Sequence, residues 1–116
     1  MTSPVMSIPQ PFRIADGLAR LPTPEGGWSV ALLRHGTMQL KLYAPHGRDP
    51  QTPHKQDELY VVARGTAAFV IRDSRAVVAP GDALFAPAGV PHHFGEFSDD
   101  FATWVVFYGP DGGEKP

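Results

Sequence analysis

The chain contains no cysteine. Disulfides, thiolate-held metals and a thiol nucleophile are therefore excluded, and any bound metal must be held by nitrogen and oxygen. It also lacks a long hydrophobic run: its apolar stretches fall far short of the ~18 residues needed to span a bilayer. A charge excess of one sign is missing too. Ten basic and 12 acidic residues give a formal net charge of −2, which offers no electrostatic case for nucleic acid or an anionic membrane as partner. Residues Met1 to Met6 have neither a basic region nor an apolar core, so no signal peptide is predicted and a cytoplasmic location is the expectation.

What the chain does have is one domain's worth of residues, 116, with 42% apolar and 19% charged, the balance of a soluble globular protein. Twelve glycines and 13 prolines are spread along it and mark many turns. Residues 1–11 read as a loose arm. A short helix is conceivable within Phe12 to Leu21, although Gly17 counts against it. From Trp28 the pattern is β. Segments Trp28–Arg34, Met38–Tyr43, Glu58–Ala63, Thr66–Arg72, Arg75–Ala79, Ala83–Ala86, His92–Phe97 and Phe101–Tyr108 are short, apolar or alternating, and divided by turn residues. Such spacing predicts an all-β sandwich or barrel over 12–110. The polar tail, 111–116, is expected to fray.

Two stretches carry chemistry. The first is Pro53-His54-Lys55-Gln56-Asp57-Glu58, leading into Leu59-Tyr60-Val61-Val62; the second is Pro80-Gly81-Asp82 followed by Pro87-Ala88-Gly89-Val90-Pro91-His92-His93-Phe94. Two imidazoles and a carboxylate suit a divalent transition metal. On a straight strand His54 and Glu58 would lie roughly 13 Å apart, too far to share an ion. A bend through Lys55-Gln56-Asp57 brings them together, with Glu58 opening the next strand. Period-2 alternation puts His92, Phe94 and Glu96 on one face and His93 on the other, which selects His92 as the third ligand. Taken singly, each residue has a bland reading: His54 as a loop residue, Glu58 as a solvated strand end, Tyr60, Phe94 and Trp104 as core. His35 and His46 read as surface residues, Asp57 as a solvated neighbour of Glu58, and Asp82 as a turn cap. Only the joint occurrence favours a metal.

These stretches resemble the paired motifs of the cupin superfamily. Glu58, six residues and Gly65 match the second half of G-x5-H-x-H-x3,4-E-x6-G, and His54 has the expected spacing to Glu58. Gly81, five residues, Pro87-Ala88-Gly89, two residues and His92 match G-x5-P-x-G-x2-H-x3-N. Two positions depart from the pattern. Thr52 stands where the first histidine of the H-x-H pair belongs, and Glu96 stands at the final asparagine. The resemblance implies a double-stranded β-helix, a jelly-roll-like barrel of two antiparallel sheets. It implies a metal (Fe, Zn, Ni or Mn) held in the barrel mouth by His54, Glu58 and His92, with Thr52, Gln56, Tyr60, Phe85, Phe94 and Glu96 lining the pocket and Val62 in its wall. It further implies a small-molecule ligand or substrate, dioxygenase- or isomerase-like chemistry or else a non-catalytic sensing role, and a homodimer to which the N-terminal arm contributes.

Overall fold

The computed structural model describes residues 10–116. One short helix and eight strands follow one another: α1 (Ile14–Leu18), β1 (Ser29–His35), β2 (Met38–Tyr43), β3 (Asp57–Arg64), β4 (Ala67–Ile71), β5 (Ser74–Val78), β6 (Ala83–Ala86), β7 (His92–Gly95) and β8 (Ala102–Tyr108). The strands form two antiparallel sheets, one of five in the order β1-β2-β8-β3-β6 and one of three in the order β5-β4-β7. Their inner faces meet over an aromatic and aliphatic core. Tyr60, Val62, Phe69, Phe94, Phe101 and Val105 are buried there, and the rings of Tyr60 and Phe94 meet edge-on at 5.1 Å between centroids.

The strands begin and end where turn residues break the alternation. Gly65, at φ +74°, closes the turn between β3 and β4, where an added Cβ would lie 2.6 Å from the Phe101 backbone; only glycine fits both the left-handed backbone and that approach. β8, with Trp104-Val105-Val106-Phe107, lies at the centre of the larger sheet, flanked by β2 and β3. Asp82 Oδ2 accepts from Ala79 N at 2.8 Å, so it caps its turn as its position after Pro-Gly predicts.

One expectation holds and two need correction. Helix α1 does form, and Gly17 is the reason it docks: it is buried, and a Cβ there would come within 2.5 Å of Leu42. A residue that lowers helix propensity is selected here for close approach. The alternation of Met38, Leu40 and Leu42 suggested one core face for β2, yet both faces are covered. Leu42 is buried beneath α1, while Tyr43 joins the barrel core and Lys41 faces the cavity described below. Nor is the C-terminal tail loose. Gly109 N donates to Thr37 Oγ1, Gly112 N to Lys55 O and Glu114 N to Asp57 Oδ2. The expected arm falls largely on residues 1–9, which lie outside the described residues.

Candidate metal centre

β3 brings Glu58, Tyr60 and Val62 to the barrel interior, because alternate residues of a strand share a face and all three are fully or almost fully buried. β7 does the same for His92 and Phe94 and leaves His93 exposed. His54 comes from the irregular segment before β3. Its backbone carbonyl accepts from Gly89 N at 2.8 Å, which ties the first chemical stretch to the Pro-Ala-Gly turn of the second.

These supports bring three donor atoms together. His54 Nδ1 lies 3.1 Å and His92 Nε2 2.9 Å from the same Glu58 oxygen, Oε2, and ligand atoms of the three residues all lie within 4.8 Å of one another. Donor atoms about 2.1 Å from one ion and at right angles to one another are about 3.0 Å apart. The observed separations therefore fit a shared divalent ion with positions left open. His92 Nδ1–H donates to Val90 O at 2.8 Å. That backbone contact orients the ring and turns Nε2 toward the centre, as the outer hydrogen bond of a metal-binding imidazole does.

Buried beside them is the Tyr60 hydroxyl, 2.9 Å from His92 Nε2, 2.9 Å from Gln51 Oε1 and 3.1 Å from Glu58 Oε1. The electrostatics are coupled. Burial alone would raise the Glu58 pKa, but hydrogen bonds and charge from His54 and His92 outweigh it and hold the carboxyl below its usual range. Burial alone would lower His92; the hydrogen bonds to Glu58 and Val90 and the charges of Glu58 and Asp49 overcome it and raise the imidazole. Each group thus favours the charged form of the other. Burial and the Glu58 charge push the Tyr60 hydroxyl far up, so it stays protonated.

A cavity of about 160 Å³ opens onto the centre, walled by Lys41, Tyr43, Gln51, His54, Glu58 and Phe107 among others. Phe107 packs edge-on against His54 at 5.0 Å. Lys41 lies 5.5 Å from the Phe107 ring centroid, and burial, with Arg34 adding to it against the opposing charge of Glu58, lowers its pKa.

Asp49 and Lys41 are among the contributors the sequence missed. Asp49, read as part of a loop, is the half-buried acceptor of the Tyr43 hydroxyl, of Gln51 N at 3.2 Å, of Gln51 Nε2 at 2.7 Å and of Phe94 N at 2.7 Å. Lys41 was hidden in the polar half of an alternating strand. The usable signal was that Lys41 shares its face with Tyr43, which is large and apolar enough to belong inside.

Other expected pocket residues lie elsewhere. Thr52 is exposed, and Gln51 takes the inward position instead. Phe85 is 49% exposed because its cross-strand partner is Leu59, on the outer face of β3. Glu96 leaves the His92 face: β7 ends at Gly95, Glu96 has φ +47°, and its carboxylate pairs with Arg75 on the surface. Gln56 edges a neighbouring groove with His54, but its amide donates to Thr37 O and Gly109 O, both at 2.9 Å. Tyr60 and Phe94 form the floor under the centre. Asp57 is not solvated; it is 5% exposed and accepts from Ala88 N at 2.9 Å and Glu114 N at 2.8 Å.

A barrel of two antiparallel sheets with a His-Glu-His cluster inside that could hold a metal defines a class of small β-barrels. Residues 39–108 match the cupin domain family, and the chain belongs to it. It is 36% identical over 102 residues to an uncharacterised protein of Streptomyces coelicolor, covering 86% of this chain and 96% of that one. The fold superposes on a cupin-2 domain protein of Shewanella frigidimarina with a TM-score of 0.63 at 20% identity, over 82% of this chain and 91% of the other. It also superposes on the DMSP lyase DddQ of Ruegeria pomeroyi with a TM-score of 0.61 at 22% identity, over 70% of this chain and 46% of that one. At such identities the likeness is one of fold.

Proposed function

We propose that this cupin holds one divalent transition metal through His54 Nδ1, Glu58 and His92 Nε2 and acts on a small organic molecule admitted to the cavity beside it. The observation that carries the reading is the convergence of the three donor atoms within 4.8 Å of one another. In that position a divalent ion supplies Lewis acidity to an oxygen of the bound molecule. The chain's own residues do the rest. Tyr60 fixes the Glu58 and His92 side chains through its hydroxyl. Phe107 closes the side of His54. Lys41, whose lowered pKa eases its loss of a proton, is the side chain in that wall best suited to move a proton to or from the molecule. The solved barrels of this fold include a lyase, and the proposal extends to an isomerase- or dioxygenase-like reaction on that molecule.

A second reading, binding without turnover, is favoured by one observation: the Tyr60 hydroxyl is committed to its partners and held protonated, leaving Lys41 as the one proton carrier in the wall of the small cavity. A homodimer belongs to either reading and is supported by the exposed pair Phe85 and Leu59 on the outer face of the larger sheet. The deciding experiment is elemental analysis of protein purified without added metal. One transition-metal ion per chain, lost in both His54→Ala and His92→Ala, supports the centre. A full load in both variants puts the metal elsewhere.

A further inference from the structure

The largest cavity beside the site is not the metal cavity. It is an open groove of about 670 Å³ on the far side of His92, whose walls include Arg48, Asp49, Gln51, Arg72, His92 and His93. Its size is that of a small-ligand site. Gln51 belongs to the walls of both spaces, so the groove and the metal cavity are neighbours across one side chain.

Two arginines flank this groove, and among the described residues neither forms an ion pair; Arg75 is the arginine that does. Both side chains are exposed, and their backbones adjoin the structure around His92. Arg48 precedes Asp49, whose carboxylate is fixed to Phe94 N, two residues beyond His92. Arg72 follows Ile71, the cross-strand partner of His92. The backbone at Arg72 is the more telling feature. It opens the two-residue turn between β4 and β5, with Ile71 paired to Ser74, and has φ +52°. Glycine is the residue that such a turn position favours. A long cation in a conformation that disfavours side chains, without a protein partner, points to a role for its charge. Asp49, the one carboxylate in the wall, already accepts from the Tyr43 hydroxyl, Gln51 and Phe94, so it does not neutralise the arginines in an ion pair.

We propose that Arg48 and Arg72, with His93, bind the oxyanion head group, carboxylate or phosphate, of the small organic molecule on which the site acts. Planar guanidinium groups recognise both head groups through paired N–H donors. The inference deepens the reading of the metal centre and relies on it only for which end of the molecule points inward.

Calorimetric titration with inorganic phosphate and with succinate tests it, on chelator-treated and on zinc-loaded protein. Both anions are expected to bind the chelator-treated protein at millimolar concentration or better, and the tighter of the two identifies the head group. Arg48→Gln and Arg72→Gly should each weaken binding about tenfold. Arg72→Gly suits the positive φ, so its thermal midpoint should hold or rise, and its metal content should stay that of the parent. Binding weaker than about 10 mM for both anions, or equal binding by the double variant, overturns the groove while leaving the metal centre standing. Arginine-dependent anion binding by a chain that takes up no metal upholds the groove and removes the metal reading.

Discussion

Asp49 and Glu58 are both carboxylates drawn in from solvent, and both are surrounded by donors, yet the donors differ in kind. Asp49 accepts from a tyrosine hydroxyl, a side-chain amide and two backbone N–H groups. None of these gives up its hydrogen near neutral pH, so the cluster is permanent and ties the 48–51 segment to β7. Glu58 accepts from the Tyr60 hydroxyl and is bracketed besides by two imidazole nitrogens, a donor type that suits a divalent ion. The same carboxylate chemistry thus makes a clamp in one place and, on the proposed reading, a site for an exchangeable cation in the other. Neighbouring Asp57 belongs with the clamps, since its acceptors hold the Ala88 turn and the C-terminal tail.

The sharpest way to break the contrast is to remove each carboxylate in turn. Glu58→Gln should abolish stoichiometric metal binding, a loss of about a hundredfold or more in affinity, measured by competition with a chromophoric chelator. Asp49→Ala should strand several donors at once. It should cost about 3 kcal/mol or more of stability in urea unfolding, while the metal ligands themselves remain. If the two variants exchanged phenotypes, the distinction would be wrong.

Acidity sharpens the same contrast. In metal-free protein the raised His92 pKa contributes stability that is complete below its ordinary value of 6.5 and is lost as pH rises through the folded value. The lowered Glu58 pKa contributes stability present above its ordinary value of 4.5 and lost as pH falls through the folded value. The two together predict a thermal midpoint highest between those ordinary values, falling on either side. Glu58→Gln should flatten that profile and Asp49→Ala should preserve its shape. Metal affinity should climb with pH across the His92 titration, because the ion must displace that proton.

Smaller effects follow. Tyr60→Phe removes the hydroxyl that touches Gln51, Glu58 and His92, and should lower stability by about 1–2 kcal/mol and metal affinity about tenfold with the barrel intact by circular dichroism. Arg75→Ala breaks a pair whose members are 51% and 77% exposed. It should change stability by no more than about 0.5 kcal/mol, which sets the baseline for the other variants.

Much of this is legible in the sequence. The eight strands fall within a residue or two of the segments read from alternation and turn residues, because both signals are local. The parity that turns His92 inward and His93 outward is equally local. Parity failed where geometry interrupts a strand, since Glu96 lies past the end of β7 with a positive φ; motif position failed at Thr52, which lies in an irregular segment where Gln51 faces in. Phe85 misled for another reason. Hydrophobicity says that a side chain prefers burial but not which sheet face is available, and its partner Leu59 shares the outer face.

By itself the sequence determined the strands, the absence of thiolate ligands and the two motifs that supply His54, Glu58 and His92, since spacing and composition are properties of short windows. The tertiary structure alone decided that Asp49 would become a clamp, that Lys41 would face the cavity, and that Arg48 and Arg72 would flank one groove. The Asp49 bond to Phe94 N, the inward face of Lys41 and the pairing of Arg48 with Arg72 across the groove all depend on which distant segments the sheets bring side by side, and no local pattern encodes a neighbour 20 or more residues away along the chain.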